Sequence, residues 1–104
     1  MHKVIITTVL DPEIKSKLTE HSKKTYIPYS KLIEYAINDF NSLIKDNSDY
    51  SLKFANFDRL KTQSFTCSIP GELNDQLISL AKRLGISKRL LVREVVCLFI
   101  QNLD

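Results

Sequence analysis

Glycine and cysteine are both scarce in this sequence: the 104 residues include 2 of each, and no tryptophan. Phosphate-binding loops and the sharp turn that presents a catalytic serine both need several closely spaced glycines, so both kinds of site are excluded. Cys67 and Cys97 do not form a CxxC pair and are too few to hold together a disulfide-rich secreted scaffold. We expect both to be buried free thiols in a reducing compartment.

Long apolar runs are also lacking. The longest one, Val95–Ile100, is far shorter than the roughly 20 residues that a bilayer requires. Met1–Leu10 has neither the length of a signal-peptide core nor a small-residue cleavage site. We therefore expect a cytoplasmic protein without a membrane partner.

Charge is nearly balanced, with 15 Lys and Arg against 12 Asp and Glu and a formal net charge of +3. With 43% hydrophobic residues, the composition and length are typical of one small soluble domain. A mildly basic chain is compatible with a nucleic-acid partner, but this charge alone does not indicate one.

No pattern for catalysis or metal binding is present in the sequence. Glu13, Glu34, Glu72 and Glu94 fall where helix starts and helix surfaces are expected, and do not suggest a catalytic pair. His21 stands at an apolar helix position without a second ligand at metal spacing, which favours a side chain at the edge of the core. We expect no enzymatic activity, no cofactor and no small-molecule substrate.

The chain repeats the order strand, helix, turn, helix. Val4–Leu10 is rich in β-branched residues, and Asp11 and Pro12 then form a helix start, with Asp as the N-cap and Pro in the first turn. Ser64–Ile69 alternates polar and apolar residues as a half-buried strand does, and a second Pro-containing helix start follows it. Gly85 then predicts a helix end.

A single offset of 59 residues, which places Thr7 on Thr66, superimposes the two halves without gaps. The offset aligns the strands, both helix starts and the apolar faces of the second helices. It also aligns Glu13 with Glu72, Leu18 with Leu77, Ile27 with Ile86 and Phe40 with Phe99. We interpret the two halves as a duplication.

One such unit of about 42 residues cannot bury its own apolar surface, and a lone strand needs a partner strand. We therefore predict a mainly α fold in which the two units pair through a short two-stranded antiparallel β-ribbon above a shared four-helix core. The expected boundaries are 1–45 for the first unit, 46–62 for the connection and 63–104 for the second unit, all in one cooperative domain.

The connection contains several aromatic residues, and two placements of it are compatible with the sequence. Its aromatics could pack against the four-helix core, with a short helix at Leu52–Lys61, or it could be an exposed linker. The last helix, which begins after the predicted cap Ser87, is apolar nearly all round, so either the connection or a second molecule must cover part of it. We favour the connection, with self-association of copies along DNA as the second choice.

Both units resemble the ribbon-helix-helix superfamily of the Arc and MetJ repressors. The second unit carries the resemblance best, at Phe65–Pro70, Glu72, Leu73, Leu77, Ala81, Gly85–Ser87 and Leu91–Val95. The first unit matches at Leu10–Ile14, Leu18, Ile27 and Ser30–Ala36. Fused units of this kind are similar to accessory DNA-binding proteins of plasmid conjugation and to some viral and plasmid repressors. The resemblance implies binding of double-stranded DNA through the ribbon.

Strand alternation predicts which side chains meet the DNA. A two-stranded ribbon fits the major groove, which is about 12 Å wide. Because Phe65, Cys67 and Ile69 must face the core, the residues expected to contact bases are Ile5, Thr7, Val9, Ser64, Thr66 and Ser68. The hydroxyl groups can both donate and accept hydrogen bonds.

Ile5 and Val9 depart from the polar residues usual at these positions in the family. They could contact thymine methyl groups, the first strand could have lost base readout, or protein could cover this face. If the methyl contacts hold, we expect a non-palindromic site, one half bound through hydroxyls and the other through methyl groups.

Phosphate contacts are expected at the start of the second helix of each unit, where unpaired N–H groups and the helix dipole favour an anion. The candidates are Tyr29, Ser30, Lys31, Ser87, Lys88 and Arg89, with Lys23, Lys24, Lys82 and Arg83 at the ends of the first helices. The alternative is that the cations are solvated helix ends, because a cation near a helix C-terminus is stabilising in any case.

Three functions fit this sequence. The first is a sequence-specific repressor or regulator of transcription, and the second is an accessory protein that binds DNA near a transfer origin in a relaxosome. The third is an antitoxin-like interaction module, whose toxin-binding part normally follows the second helix. No such tail follows Leu103 and Asp104, which counts against the third function.

Overall fold

The computed structural model describes residues 2–46 and 49–103. The remaining positions, at the outer ends of the two expected units and within the connection, lie outside the described residues. The elements along the chain are β1 (Lys3–Leu10), α1 (Pro12–Thr25), α2 (Tyr29–Lys45), a 3₁₀ turn (Arg59–Lys61), β2 (Gln63–Pro70), α3 (Gly71–Leu84) and α4 (Lys88–Gln101). Two strand–helix–helix units therefore flank a connection with little regular structure.

The two strands pair antiparallel, from Lys3 opposite Pro70 to Leu10 opposite Gln63. Thr7 lies opposite Thr66, which is also its equivalent under the 59-residue offset. A pseudo-twofold axis therefore passes between these two residues and relates one unit to the other. The predicted fold class, a mainly helical protein with an antiparallel ribbon and four helices, is confirmed.

The core lies beneath the ribbon, between the four helices. Inward-facing strand residues, such as Ile6 and Ile69, meet the apolar faces of the helices, and each fully buried side chain of this size contributes about 1.5–3 kcal/mol. His21 packs edge-on against Phe99, with ring centroids 6.1 Å apart. Cys97 is fully buried, as expected, whereas Cys67 packs against the core but is only half-buried.

The helix ends follow the sequence signals in part. Pro12 opens α1, and the Ser87 hydroxyl accepts the Leu90 N–H at 3.1 Å as a cap of α4. Gly85 ends α3 in the left-handed conformation, and Tyr26 takes the same conformation at the end of α1. Asp11 is the N-cap residue of α1, as predicted, but its carboxylate makes no capping hydrogen bond and instead lies 3.4 Å from the Arg93 guanidinium.

The connection contains a single 3₁₀ turn at Arg59–Lys61 rather than a helix over Leu52–Lys61. Tyr50 and Phe54 pack against the core. Leu60 points away from the protein and is 96% exposed. The aromatic residues thus hold the first part of the connection, while its end approaches β2 as an exposed turn.

Glu94 is not the surface charge that the sequence suggested. It is 1% exposed, and its carboxylate accepts hydrogen bonds from the Tyr50 hydroxyl and from the backbone N–H groups of Lys53 and Phe54. Burial and the negative charge of Glu94 raise the pKa of Tyr50. All three donors belong to the connection, and these hydrogen bonds hold the connection over Glu94.

Arg93 is buried beside it, at 2% exposure. Its guanidinium donates to the carbonyl oxygens of Phe54 at 2.7 Å and Val9 at 3.1 Å, and it lies 4.1 Å from the centre of the Phe57 ring. Arg93 therefore joins α4, β1 and the connection. Among the described residues, no helix is long and apolar enough to cross a membrane.

Candidate nucleic-acid interface

The outer face of the ribbon, formed by Ile5, Thr7, Val9, Ser64, Thr66 and Ser68, is open. The three β2 residues and Ile5 are exposed, and the other two are partly exposed. At the centre, the hydroxyl oxygens of Thr7 and Thr66 lie 3.3 Å apart. The outer face therefore presents hydroxyl groups that can exchange hydrogen bonds with an approaching ligand.

The strand register changes how the polar and apolar residues are shared between the two ends of this face. Ile5 lies opposite Ser68, and Val9 lies opposite Ser64. Each end therefore carries one apolar and one hydroxyl side chain. The expected division, with hydroxyls for one half of a site and methyl groups for the other, does not follow from this register, because the antiparallel partner supplies the missing type at each end.

The exposure of Ile5 bears on the alternatives for β1. This side chain is 68% exposed, so the described residues of the chain leave it uncovered. It remains available for an apolar contact such as a thymine methyl group.

The second helices begin on opposite sides of the ribbon. At the start of α4, the Arg89 carbonyl accepts a hydrogen bond at 2.8 Å from Thr8, a buried residue of β1. At the start of α2, the Tyr29 ring packs edge-on against Phe65 of β2, with centroids 5.5 Å apart. Each strand thus holds the start of one second helix beside the outer face.

Several predicted phosphate-binding side chains already have partners within the protein. The Lys88 ammonium donates to the Asn74 side-chain oxygen at 2.8 Å. Lys31 is paired with Glu34 at 3.0 Å, and both the hydrogen bond and the charge of Glu34 raise the pKa of Lys31. The Tyr29 hydroxyl is hydrogen-bonded to Thr19 at 2.8 Å. Because an ammonium group has three N–H donors, Lys31 and Lys88 can keep these partners and still donate to a phosphate.

Arg89 differs from them. Its side chain is exposed, and among the described residues it has no hydrogen bond or ion pair. Ser30 is partly exposed at the corresponding position of the first unit, while Ser87 uses its hydroxyl to cap α4. Of the residues at the two helix starts, Arg89 is therefore the cation most ready to bind an anion.

The four cations at the ends of the first helices, Lys23, Lys24, Lys82 and Arg83, are all exposed. Lys23 shares a groove with Lys15 and with Gln63 at the start of β2. Arg83 borders a different groove, which it shares with Asn41 of α2 and which includes no ribbon residue. Lys23 therefore lies near the start of β2, whereas the groove of Arg83 lies between α2 and α3.

Sequence analysis missed two basic residues near the outer face. The Lys15 ammonium donates to the Ser64 carbonyl at 3.2 Å, and Arg59 borders a cleft beside Val9. Neither residue belongs to a repeated motif. Their basic character was visible in the sequence, but only the folded chain places them at the ribbon.

Comparison with protein families finds a match within the first unit. Residues 2–41 match the ribbon-helix-helix domain, which covers β1, α1 and most of α2. The resemblance is thus confirmed for the first unit. The second unit has the same order of elements in the structure but lies outside the matched residues. Neither the comparison with curated proteins nor that with solved structures found a match.

The family match indicates a DNA-binding regulator, without specifying which process it regulates. Domains of this family bind DNA, are not enzymes, and act as dimers. In this chain the pairing that a dimer would supply occurs between β1 and β2 of one molecule.

Proposed function

We propose that the protein binds double-stranded DNA with sequence specificity by placing the β1–β2 ribbon in the major groove, and that it represses or otherwise regulates transcription. The observation that carries the proposal is the open outer face of the ribbon, with Thr7 and Thr66 at its centre. The width of a two-stranded ribbon suits the major groove, where all four base pairs can be distinguished.

Base recognition is assigned to the six residues of the outer face. The hydroxyls of Thr7, Ser64, Thr66 and Ser68 are suited to the donors and acceptors on base edges, while Ile5 and Val9 are suited to thymine methyl groups. Because each end of the face carries one residue of each type, we expect each half of the site to combine a polar contact with an apolar one.

Phosphate contacts are assigned to the starts of α2 and α4, on either side of the groove. Free backbone N–H groups at these helix starts attract a phosphate oxygen. At the start of α4, the exposed Arg89 side chain adds a cation that can bind the same phosphate. On the α2 side Lys31 would bind through the N–H donors that its bond to Glu34 leaves free, and Lys88 would do the same beside Asn74.

The test is selection of bound duplexes from a random pool, followed by footprinting on the selected sequence. We expect a defined consensus and protection centred on one major groove. Methylation of guanine N7, which lies in that groove, should block binding, whereas a minor-groove ligand should not compete. Failure to shift any duplex at low salt would overturn the proposal.

The double variant Thr7→Ala with Thr66→Ala provides the matched test of base recognition. It should lose part of its preference for the selected site over unrelated DNA while keeping the salt dependence of the wild type, since phosphate contacts set that dependence. An unchanged preference for the selected site would argue that the two residues at the centre of the ribbon do not contact the bases.

A further inference from the structure

A cleft of about 530 Å³ lies between the end of the connection and the start of α4. Arg59 forms part of the wall from the connection, Ser87 and Arg89 from the start of α4, and Val9 from β1. Three of its ten lining residues are arginines and none is acidic. The composition of the cleft therefore favours an anion.

The three arginines are not equivalent. Arg93 already donates to two carbonyl oxygens and to the Asp11 carboxylate. It therefore adds positive charge to the cleft but has few N–H groups left to bind a ligand. Arg59 and Arg89 are exposed, and neither side chain has a hydrogen bond or ion pair among the described residues. Two guanidinium groups with free donors thus border one cleft, and their planar N–H forks match a phosphate group.

We propose that this cleft holds a phosphate of the DNA backbone and that Arg59 gives the α4 side of the ribbon a contact that the α2 side lacks. The inference rests on the proposed function. Val9 belongs both to the outer face of the ribbon and to the wall of the cleft. A phosphate at the edge of a groove that contains the ribbon would therefore lie at the mouth of the cleft.

The start of α2 has no equivalent pair of arginines, and the cations beside β2, Lys15 and Lys23, share their groove with Glu20. Under the 59-residue offset, Arg89 corresponds to Ser30 and Arg93 corresponds to Glu34. The Glu34 carboxylate is paired with Lys31, the basic residue at the start of α2. The α4 side therefore has two arginines, Arg59 and Arg89, whose side chains have no ion pair among the described residues, whereas the lysine at the start of α2 is paired.

This difference predicts a fixed orientation on the DNA. Base contacts already differ between the two orientations, because the pseudo-twofold axis that places Thr7 on Thr66 also places Ile5 on Ser64 and Val9 on Ser68. An additional phosphate contact on the α4 side extends the interface in one direction only. A footprint on the selected site should accordingly reach further beyond the ribbon on the α4 side.

Lys61 provides a matched control for Arg59. Both are exposed cations of the same 3₁₀ turn. Lys61 borders a different cleft, in which the carboxylates of Asp11, Glu13 and Asp58 are present. The variants Arg59→Gln and Lys61→Gln therefore remove the same charge from neighbouring positions with different surroundings.

The experiment measures the affinity of the full-length chain for the selected duplex as a function of salt concentration. Arg59→Gln should reduce the slope of log affinity against log salt by about 0.9, the value for one phosphate contact. Lys61→Gln should leave that slope unchanged, and Arg59→Lys should restore most of it. Hydroxyl-radical footprinting of Arg59→Gln should lose protection only on the α4 side.

The outcomes separate this inference from the proposed function. Wild-type binding with an unchanged slope and footprint in Arg59→Gln would overturn the inference alone, as would equal effects of the two variants. Failure of the wild type to bind any duplex would overturn both. Titration with inorganic phosphate, followed by the NMR signals of Arg59 and Arg89, tests the other source of the anion. Saturation there, with no effect of Arg59→Gln on DNA binding, would assign the cleft to free phosphate and contradict a backbone contact.

Discussion

The second helices of the two units occupy equivalent places in the fold but have different neighbours. In α4, Arg93 and Glu94 are almost completely buried under the connection. Their equivalents in α2 are Glu34, which reaches the exposed Lys31, and Tyr35, which is itself exposed. Equivalent positions in a duplicated fold can therefore serve different purposes when a connecting segment covers only one of them.

The same comparison applies on the DNA side of the molecule. Each end of the outer face has one apolar and one hydroxyl residue, but the apolar residues are both on β1 and the hydroxyls both on β2. The connection also contributes Arg59 to a cleft at the start of α4. The asymmetry of this protein therefore lies both in the two strands and in the contacts of the connection.

The largest expected effect comes from breaking the buried contacts of α4. Arg93→Ala should lower the free energy of unfolding by about 3–5 kcal/mol, because it removes a buried cation and leaves its hydrogen-bond acceptors without a partner. Glu34→Ala, at the equivalent position, should leave the urea midpoint unchanged, since it removes only an ion pair at the surface. Urea unfolding of both variants is the measurement, and similar losses of stability would contradict the comparison.

The next prediction separates the two residue types at one end of the ribbon. Ser68→Ala should weaken binding to the selected site by about fivefold, roughly 1 kcal/mol, through loss of a hydroxyl contact. Ile5→Ala should instead reduce the preference for thymine at a single position. Both variants should retain the wild-type affinity for unrelated DNA. Quantitative selection from a random pool would show whether each loss occurs in the same half of the site.

A third prediction compares the ends of the two first helices, Tyr26 and Gly85, which share the left-handed conformation with φ of 60° and 70°. Gly85→Ala should destabilise the protein by about 1 kcal/mol through backbone strain alone, because an added Cβ meets no atom within 4 Å. Tyr26→Gly should stabilise it by roughly 0.5–1 kcal/mol, since the Tyr26 side chain is 92% exposed. Thermal unfolding would reveal opposite shifts, and shifts of the same sign would refute the argument.

The last comparison concerns the contribution of the two thiols to stability at alkaline pH. Burial raises the pKa of Cys67 to about 11 and that of Cys97 to about 12, from an ordinary value of 9.0. The unfolded chain then releases these protons at lower pH than the folded chain does, so stability should fall as pH rises from about 9 toward 12. Urea unfolding across this range should show a shallower fall in Cys97→Ala than in the wild type. An identical pH dependence would contradict the assigned role of this thiol.

The fold was largely predictable from local patterns. The alternation of Ser64–Ile69, the Pro12 helix start and the left-handed Gly85 each depend on interactions within a few residues, so the chain alone reveals them. The outward direction of Thr7 and Thr66 follows from the period of two in a strand. Arg93 and Glu94 could not be assigned in this way, because their partners Val9 and Phe54 are distant in sequence.

The candidate site was predictable to a smaller extent. Alternation identified the six residues of the outer face, but it did not tell which residue lies opposite which, since that depends on the register between distant segments. The cations Lys31 and Lys88 were visible, but their partners Glu34 and Asn74 were not assigned. Long side chains choose among neighbours within a few ångströms, and only the packed helices provide those neighbours.

The amino-acid sequence by itself determined two repeated units, their helices and strands, and the side of each strand that faces the core, because hydrophobic spacing and turn residues act locally. Only the tertiary structure decided that the connection lies over Arg93 and Glu94 and that Arg59 shares a cleft with Arg89. Those outcomes depend on buried hydrogen bonds and charges between segments far apart in the chain. Such interactions follow no sequence period, since each arises only where the folded backbone brings a donor to an acceptor.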